Sequence, residues 1–243
     1  MRKEDMLSCQ DMIDEIMART GRDTNNQELL DNTRCTRWIN EGQRATAWNI
    51  PGIPSLSFDN RSSIDTTGTI TYAITDLTVG PDVTTRIPCR ILQLFYLDGN
   101  ESRELNYLPP DEFNSLHPDP THSDEAFGKP KHWTMKNNNQ VVIYPYCASG
   151  YWDDDLKFVG DFYPLDFTTD STKSSDISGA DELLIQYGIW QAWKAIGVYA
   201  EEIKAQKTWS NPEPMPGERL GLLEEYRDRV TAMPGWNWNL YGS

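Results

Sequence analysis

Hydrophobic positions recur with a helical period at both ends of the chain and with a period of two in the middle. In the first segment Met6, Cys9, Ile13, Ile16 and Met17 share one face, and Thr20-Gly21 with Arg19 in the last turn predicts the stop. A second helix is predicted from about Asn26 to Trp48, with Cys35, Trp38, Ile39, Gly42, Ala45 and Thr46 on one stripe. The stretch NIPGIPS, Asn49 to Ser55, ends it, because proline lacks a backbone donor and biases its predecessor to extended geometry.

From Leu56 to about Phe167 the pattern predicts strands. TITYAI (69–74), CRILQLFYL (89–97) and the returning RELNYL (103–108) lie in this region, with Asp98-Gly99 supplying turn chemistry. HWTMK and QVVIYP read as strands joined by Asn137, Asn138 and Asn139. LKFVGDFYP follows a turn at Asp153, Asp154 and Asp155. Together they predict an antiparallel meander. A polar connector, 168–182, leads to the strongest helix pattern, Asp181 to Gln206, whose stripe is Ile185, Ile189, Trp193, Ile196, Ala200 and Ile203. Pro216 is placed to begin a last helix, about 217–233, bearing Leu220, Leu223, Tyr226 and Val230. The expected fold is therefore α+β: a four-helix bundle formed by both chain ends (1–54 and 168–233), an inserted antiparallel β domain (55–167) and an extended C-terminal tail (234–243).

Composition and charge narrow the function. The formal charge is −15, which argues against wrapping nucleic acid, since that needs a basic surface. The acidity suits either simple solubility or a channel wall past which DNA slides. Cys9, Cys35, Cys89 and Cys147 are far apart, without a CxxC or a Cys/His cluster. That pattern fits free buried thiols in a reducing compartment and not a zinc site. No stretch approaches the ~18 apolar residues of a membrane span, and the N-terminus lacks a signal peptide's apolar core. A cytoplasmic site of synthesis and no membrane partner are expected.

Catalytic motifs are missing: no GxSxG, HExxH, P-loop or GxGxxG occurs. His117 and His122, with Asp119 or Asp124, could hold a metal in the loop 115–130, but a solvated loop is the better account of them, and His132 reads as packing beside Trp133. The carboxylates Asp111 with Glu112, and the Asp153–Asp155 run, sit where turn chemistry accounts for them. The expectation is a protein without catalytic residues, metal or cofactor. Two features ask for a partner. The tail holds Trp236, Trp238, Leu240 and Tyr241 and no charge, so it either tucks onto the chain or waits for another protein. The loop 109–130 is either a reaching arm or slack.

The order of these elements resembles the head-to-tail adaptors of tailed bacteriophages, the connector or tail tubular protein A-like group. TRWINEGQRATAW (36–48), with an Asn-Glu-x-Gln-Arg core at Asn40 to Arg44, is similar to their second helix. LPPDEFNSL (108–116) resembles their step from strand to helix. GKPKHWTMKNNNQVVIYPYCASGYWDDDLKFVGDFYPLD resembles their Gly-x-Pro and strand region, and DELLIQYGIWQAWKAIG their next helix. Residues 56–88 match nothing in that group.

The resemblance implies a structural virion protein at the head-tail junction. It implies a homo-oligomeric ring, typically of twelve copies, beneath the portal protein, extending the DNA channel without binding DNA specifically and offering a platform to the tail or nozzle protein. On that reading the tail aromatics bind portal, and the turns 137–139 and 153–155 face the tail or a neighbour. Two other readings stand beside it: a lower neck or tail-completion protein, and a carbohydrate-binding or cell-wall-degrading module stacking sugars on Trp133 and Trp152.

Overall fold

The computed structural model describes residues 6–21, 30–65, 70–73, 88–98, 101–120, 128–137, 140–146, 155–168 and 172–232. The chain divides into two units, Met1–Leu56 with Tyr163–Ser243, and Ser57–Phe162. The first is helical and the second is β-rich, so the fold is α+β.

The helical unit begins with α1 (Cys9–Arg19), whose first turn is closed by a capping box between Ser8 and Asp11. Helix α2 (Asn32–Asn49) starts at Asp31, whose side chain accepts from Arg34 N–H at 2.7 Å. The later half supplies α4 (Asp181–Ile196), α5 (Tyr199–Trp209) and α6 (Leu222–Thr231). Helix α4 contacts each of α1, α2, α5 and α6. It is the most apolar of them, and a helix touched on several sides must be. One core joins Ile13 and Ile16 of α1, Ile39 of α2, Leu184 and Ile189 of α4, and Tyr226 of α6. Both chain ends meet there: Leu7 N–H donates to Asp181 Oδ2 at 3.1 Å, and Arg19 pairs with Glu182. At Gly188 the α1–α4 approach is close enough that a Cβ would lie 2.3 Å from Ile16 Cδ1.

Two helix expectations are corrected. The long pattern 181–206 is not one helix. Gly197, at φ +82° with its N–H donating to Trp193 O at 3.0 Å, ends α4 and starts a new direction. The chain ends therefore supply five helices among the described residues, not a four-helix bundle. The last helix begins at Leu222 after Gly221, so Pro216 is not its first residue. Glu224, buried at the start of α6, accepts from Ser210 Oγ (2.7 Å) and Asn211 N–H (3.0 Å), and this fixes the later start.

The β unit holds β1 (Ser57–Asp65), β2 (Thr71–Ala73), β3 (Pro88–Asp98), β4 (Glu101–Glu104), β5 (Asn106–Tyr107), a short helix α3 (Pro110–Leu116), β6 (His132–Lys136), β7 (Gln140–Tyr144) and β8 (Asp155–Phe162). One sheet has the order β1-β8-β3-β4 and the other β2-β7-β6-β5. This overturns the meander. β6 and β7 form the predicted hairpin, but β8 crosses to the other sheet and pairs with β1 and β3. The domain is also not purely antiparallel, because β5 runs parallel to β6. The returning strand breaks at Leu105, which is buried and donates its N–H to Leu94 O at 2.8 Å, so β4 and β5 belong to different sheets. Inward side chains of both sheets, among them Leu94, Tyr96, Trp133, Ile143, Phe158 and Phe162, share one core.

Candidate interaction site

The Asn-Glu-x-Gln-Arg stretch of α2 grips the returning chain. Asn40 Nδ2 donates to Phe167 O at 3.0 Å, and Phe167 N–H donates to Asn40 Oδ1 at 2.9 Å, so one side chain pairs a whole peptide edge. Gln43 is fully buried; its Nε2 donates to Asn40 Oδ1 (3.2 Å) and its Oε1 accepts from Ser175 Oγ (2.7 Å). Arg44 pairs with Asp166, while Glu41 turns outward to Arg37 at 3.4 Å. Buried amides are stable only when their donors and acceptors are matched, as here. A groove of about 740 Å3 lies beside this clamp, with Cys9, Ile13 and Phe167 among its lining and Arg37, Glu41, Arg44 and Asp166 at its charged positions. Those four charges include two pairs that already neutralise one another.

Apolar side chains that follow the break at Gly197 are exposed. Tyr199 is 72% exposed, and Val198 and Ile203 are also exposed. Ala200 and Ile203, expected in the core stripe, face solvent instead. The signal was present in the sequence: a lysine in the last turn followed by glycine three residues on is a helix stop. Beneath this surface Trp190 and Trp209 stack at 5.5 Å and Gln186 Nε2 donates to Ala205 O at 3.2 Å, tying α5 to α4.

In the β unit, α3 is held by Phe113, 2% exposed, and by a histidine pair that sequence reasoning missed. His117 Nε2 lies 3.1 Å from His132 Nδ1, and the His117 ring stacks on Tyr144 at 3.9 Å. His132 thus does more than pack beside Trp133. Burial, then the neighbouring His132, hold the His117 pKa below its ordinary 6.5. A folded value below the unfolded one favours neutral imidazole. The contribution to stability is present above about pH 6.5 and is lost as pH falls through the folded value. Loosening of α3 on acidification is the expected outcome, read as faster amide exchange at Phe113 and His117 while α4 amides stay protected.

The other sequence-predicted positions are described only in part. Asn137 adopts φ +53° in the β6–β7 turn; Asn138 and Asn139 lie outside the described residues. Asp155 opens β8, whereas Asp153, Asp154, Trp152, His122 and the tail with Trp236, Trp238, Leu240 and Tyr241 lie outside them. Asp111 and Glu112 occupy the first turn of α3, where carboxylates suit the helix dipole. Trp133 is buried, so it offers no ring to a sugar, and that part of the carbohydrate reading is withdrawn. Burial pushes the Cys35 and Cys89 thiols up to about 12, which removes them as nucleophiles at neutral pH. Among the described residues no three His, Cys, Asp or Glu group to hold a metal, and no helix is long and apolar enough to cross a membrane.

No curated protein matches the sequence. A family model described as SU10 adaptor protein matches residues 8–211, from the capping serine of α1 to the residue two beyond α5. With most of the chain matched, through both units, it belongs to the SU10 adaptor protein family, a family of bacteriophage head-tail adaptors.

Proposed function

We propose that the protein is a structural component of the virion neck: a head-to-tail adaptor that assembles as a ring beneath the portal, lengthens the DNA channel and gives the tail its platform. The family match over residues 8–211 carries this reading. A charge of −15 supports it, because DNA must slide past such a wall without gripping it. The exposed apolar face of α5 supports it too, since contiguous apolar surface is commonly kept for a partner. The tail aromatics Trp236, Trp238, Leu240 and Tyr241 are assigned to the portal, where a few buried aromatics carry most of the binding energy. The turns 137–139 and 153–155 are assigned to the tail or nozzle protein or to the neighbouring copy, and twelve copies are expected.

Native mass spectrometry of the chain alone and mixed with the portal protein of the same genome tests this. A ring of fixed copy number on the portal is expected, and removal of residues 234–243 should abolish it. A chain that ignores the portal but joins another adaptor would make it a lower neck component.

A further inference from the structure

Two copies, each of charge −15, repel at long range, so contact between them needs local charges of opposite sign and apolar surface to bury. A groove of about 420 Å3 between α5 and the segment leading into α6 offers both. Leu220, 41% exposed, and Leu222 contribute its apolar part. The Arg219 guanidinium beside them makes no ion pair among the described residues, and Lys204 reaches only Glu201, at 3.8 Å. Of the groove's two carboxylates, Glu218 is already held by Lys207 at 2.7 Å and by Asn211, which leaves Glu225.

The matching surface is α3. It is anchored by Phe113 alone among its own residues and exposes Asp111, Glu112, Ser115 and Leu116, the last 56% exposed. Glu112 and Leu116 stand one turn apart on the same face, so the helix presents a carboxylate and an apolar knob together. The outer face of α1 is a poorer match, because Asp11 is spent in the Ser8 capping box and Asp14 accepts from Gln10 at 2.7 Å.

We propose that α3 of one copy docks into the α5–α6 groove of the next. Leu116 covers Leu220 and Leu222, and Asp111 and Glu112 meet Arg219 and Lys204. The two surfaces differ, so the contact is heterologous and each copy offers both halves, which is what a closed ring requires. This rests on the ring reading above and adds which faces meet.

Charge-swapped full-length chains test it on the portal protein by native mass spectrometry. K204E/R219E and D111K/E112K should each lose the full ring, while an equimolar mixture of the two restores it, because every α3 then finds a groove of opposite sign. L116S, which changes no charge, should weaken assembly about tenfold. All altered side chains are exposed, and circular dichroism matching wild type confirms folding. A wild-type ring that both charge variants also form overturns the docking and leaves the ring reading intact. Single variants that fail without rescue in the mixture overturn it as well. A wild-type chain that never assembles overturns both.

Discussion

Gly160→Val is expected to unfold the β unit while the helical unit keeps its structure. Gly160 sits in β8, the strand flanked by β1 and β3, opposite Phe58 on one side and Ile91 on the other. A Cβ there would lie 2.2 Å from the Arg90 carbonyl oxygen and 3.3 Å from Ile91 Cα. These are backbone atoms of a paired strand, and they cannot swing aside as a side-chain end can. The position also adjoins Asp161, a buried carboxylate that accepts from Ser57 Oγ at 2.6 Å and pairs with Arg90 at 3.3 Å, so one residue ties three strands. Forcing β3 away from β8 breaks that tie and leaves buried charge without its partner, the mechanism behind the largest single-residue losses. A loss of about 4 kcal/mol or more is expected, which for a unit of this size lowers its melting by roughly 20 °C. Gly128→Ala is the matched control: its Cβ would meet Pro145 at an ordinary 3.8 Å, and melting should move by no more than about 2 °C. Amide exchange should place the damage in β1, β3 and β8. Unchanged protection there would refute the steric account.

The second large effect is expected at Asn40. Asn40→Ala removes the side chain that pairs both polar groups of Phe167 and one that satisfies Gln43. The peptide left behind stays in the core, and each buried group without a partner costs about 1–3 kcal/mol, so about 2–4 kcal/mol is expected after partial rehydration. Asn40→Asp distinguishes lost packing from lost pairing. Its carboxylate still accepts from Phe167 N–H but faces the Phe167 carbonyl oxygen, and burial raises its folded pKa. A raised folded value means this variant becomes more stable, relative to wild type, as pH falls and the carboxyl regains a donor. Thermal melting of both variants at neutral pH and near pH 4 measures this. Equal losses for Asn40→Asp at both pH values would mean that shape, and not the hydrogen bonds, is what Asn40 supplies.

These two positions show how far the sequence was readable. Asn40 lay within a stretch singled out by family resemblance, and its helix and face were legible from the apolar stripe of Cys35, Trp38 and Ile39. That its amide would grip Phe167, 127 residues later, was not, because side-chain periodicity carries no information about which distant peptide needs a partner. Gly160 was visible only as a glycine inside a strand pattern. Its closeness to Arg90 depends on β8 crossing between β1 and β3, and the local pattern instead suggested pairing with the adjacent hairpin. The histidine pair was hidden for the same reason: His117 and His132 flank a stretch whose length says nothing about its ends returning to 3.1 Å.

The sequence by itself determined the helical ends, the β-rich centre, the acidic character and the family. All of these rest on local periodicity, composition or an ordered set of motifs, which are properties of residues close along the chain. Only the tertiary structure decided that β8 leaves the meander for the other sheet and that α2 holds the returning chain through Asn40 and Gln43. Each of these is settled by non-local burial. The face of β8 formed by Leu156, Phe158 and Phe162 takes the place where it is covered by the shared core, and a polar side chain enters a core only where a distant backbone group can satisfy it.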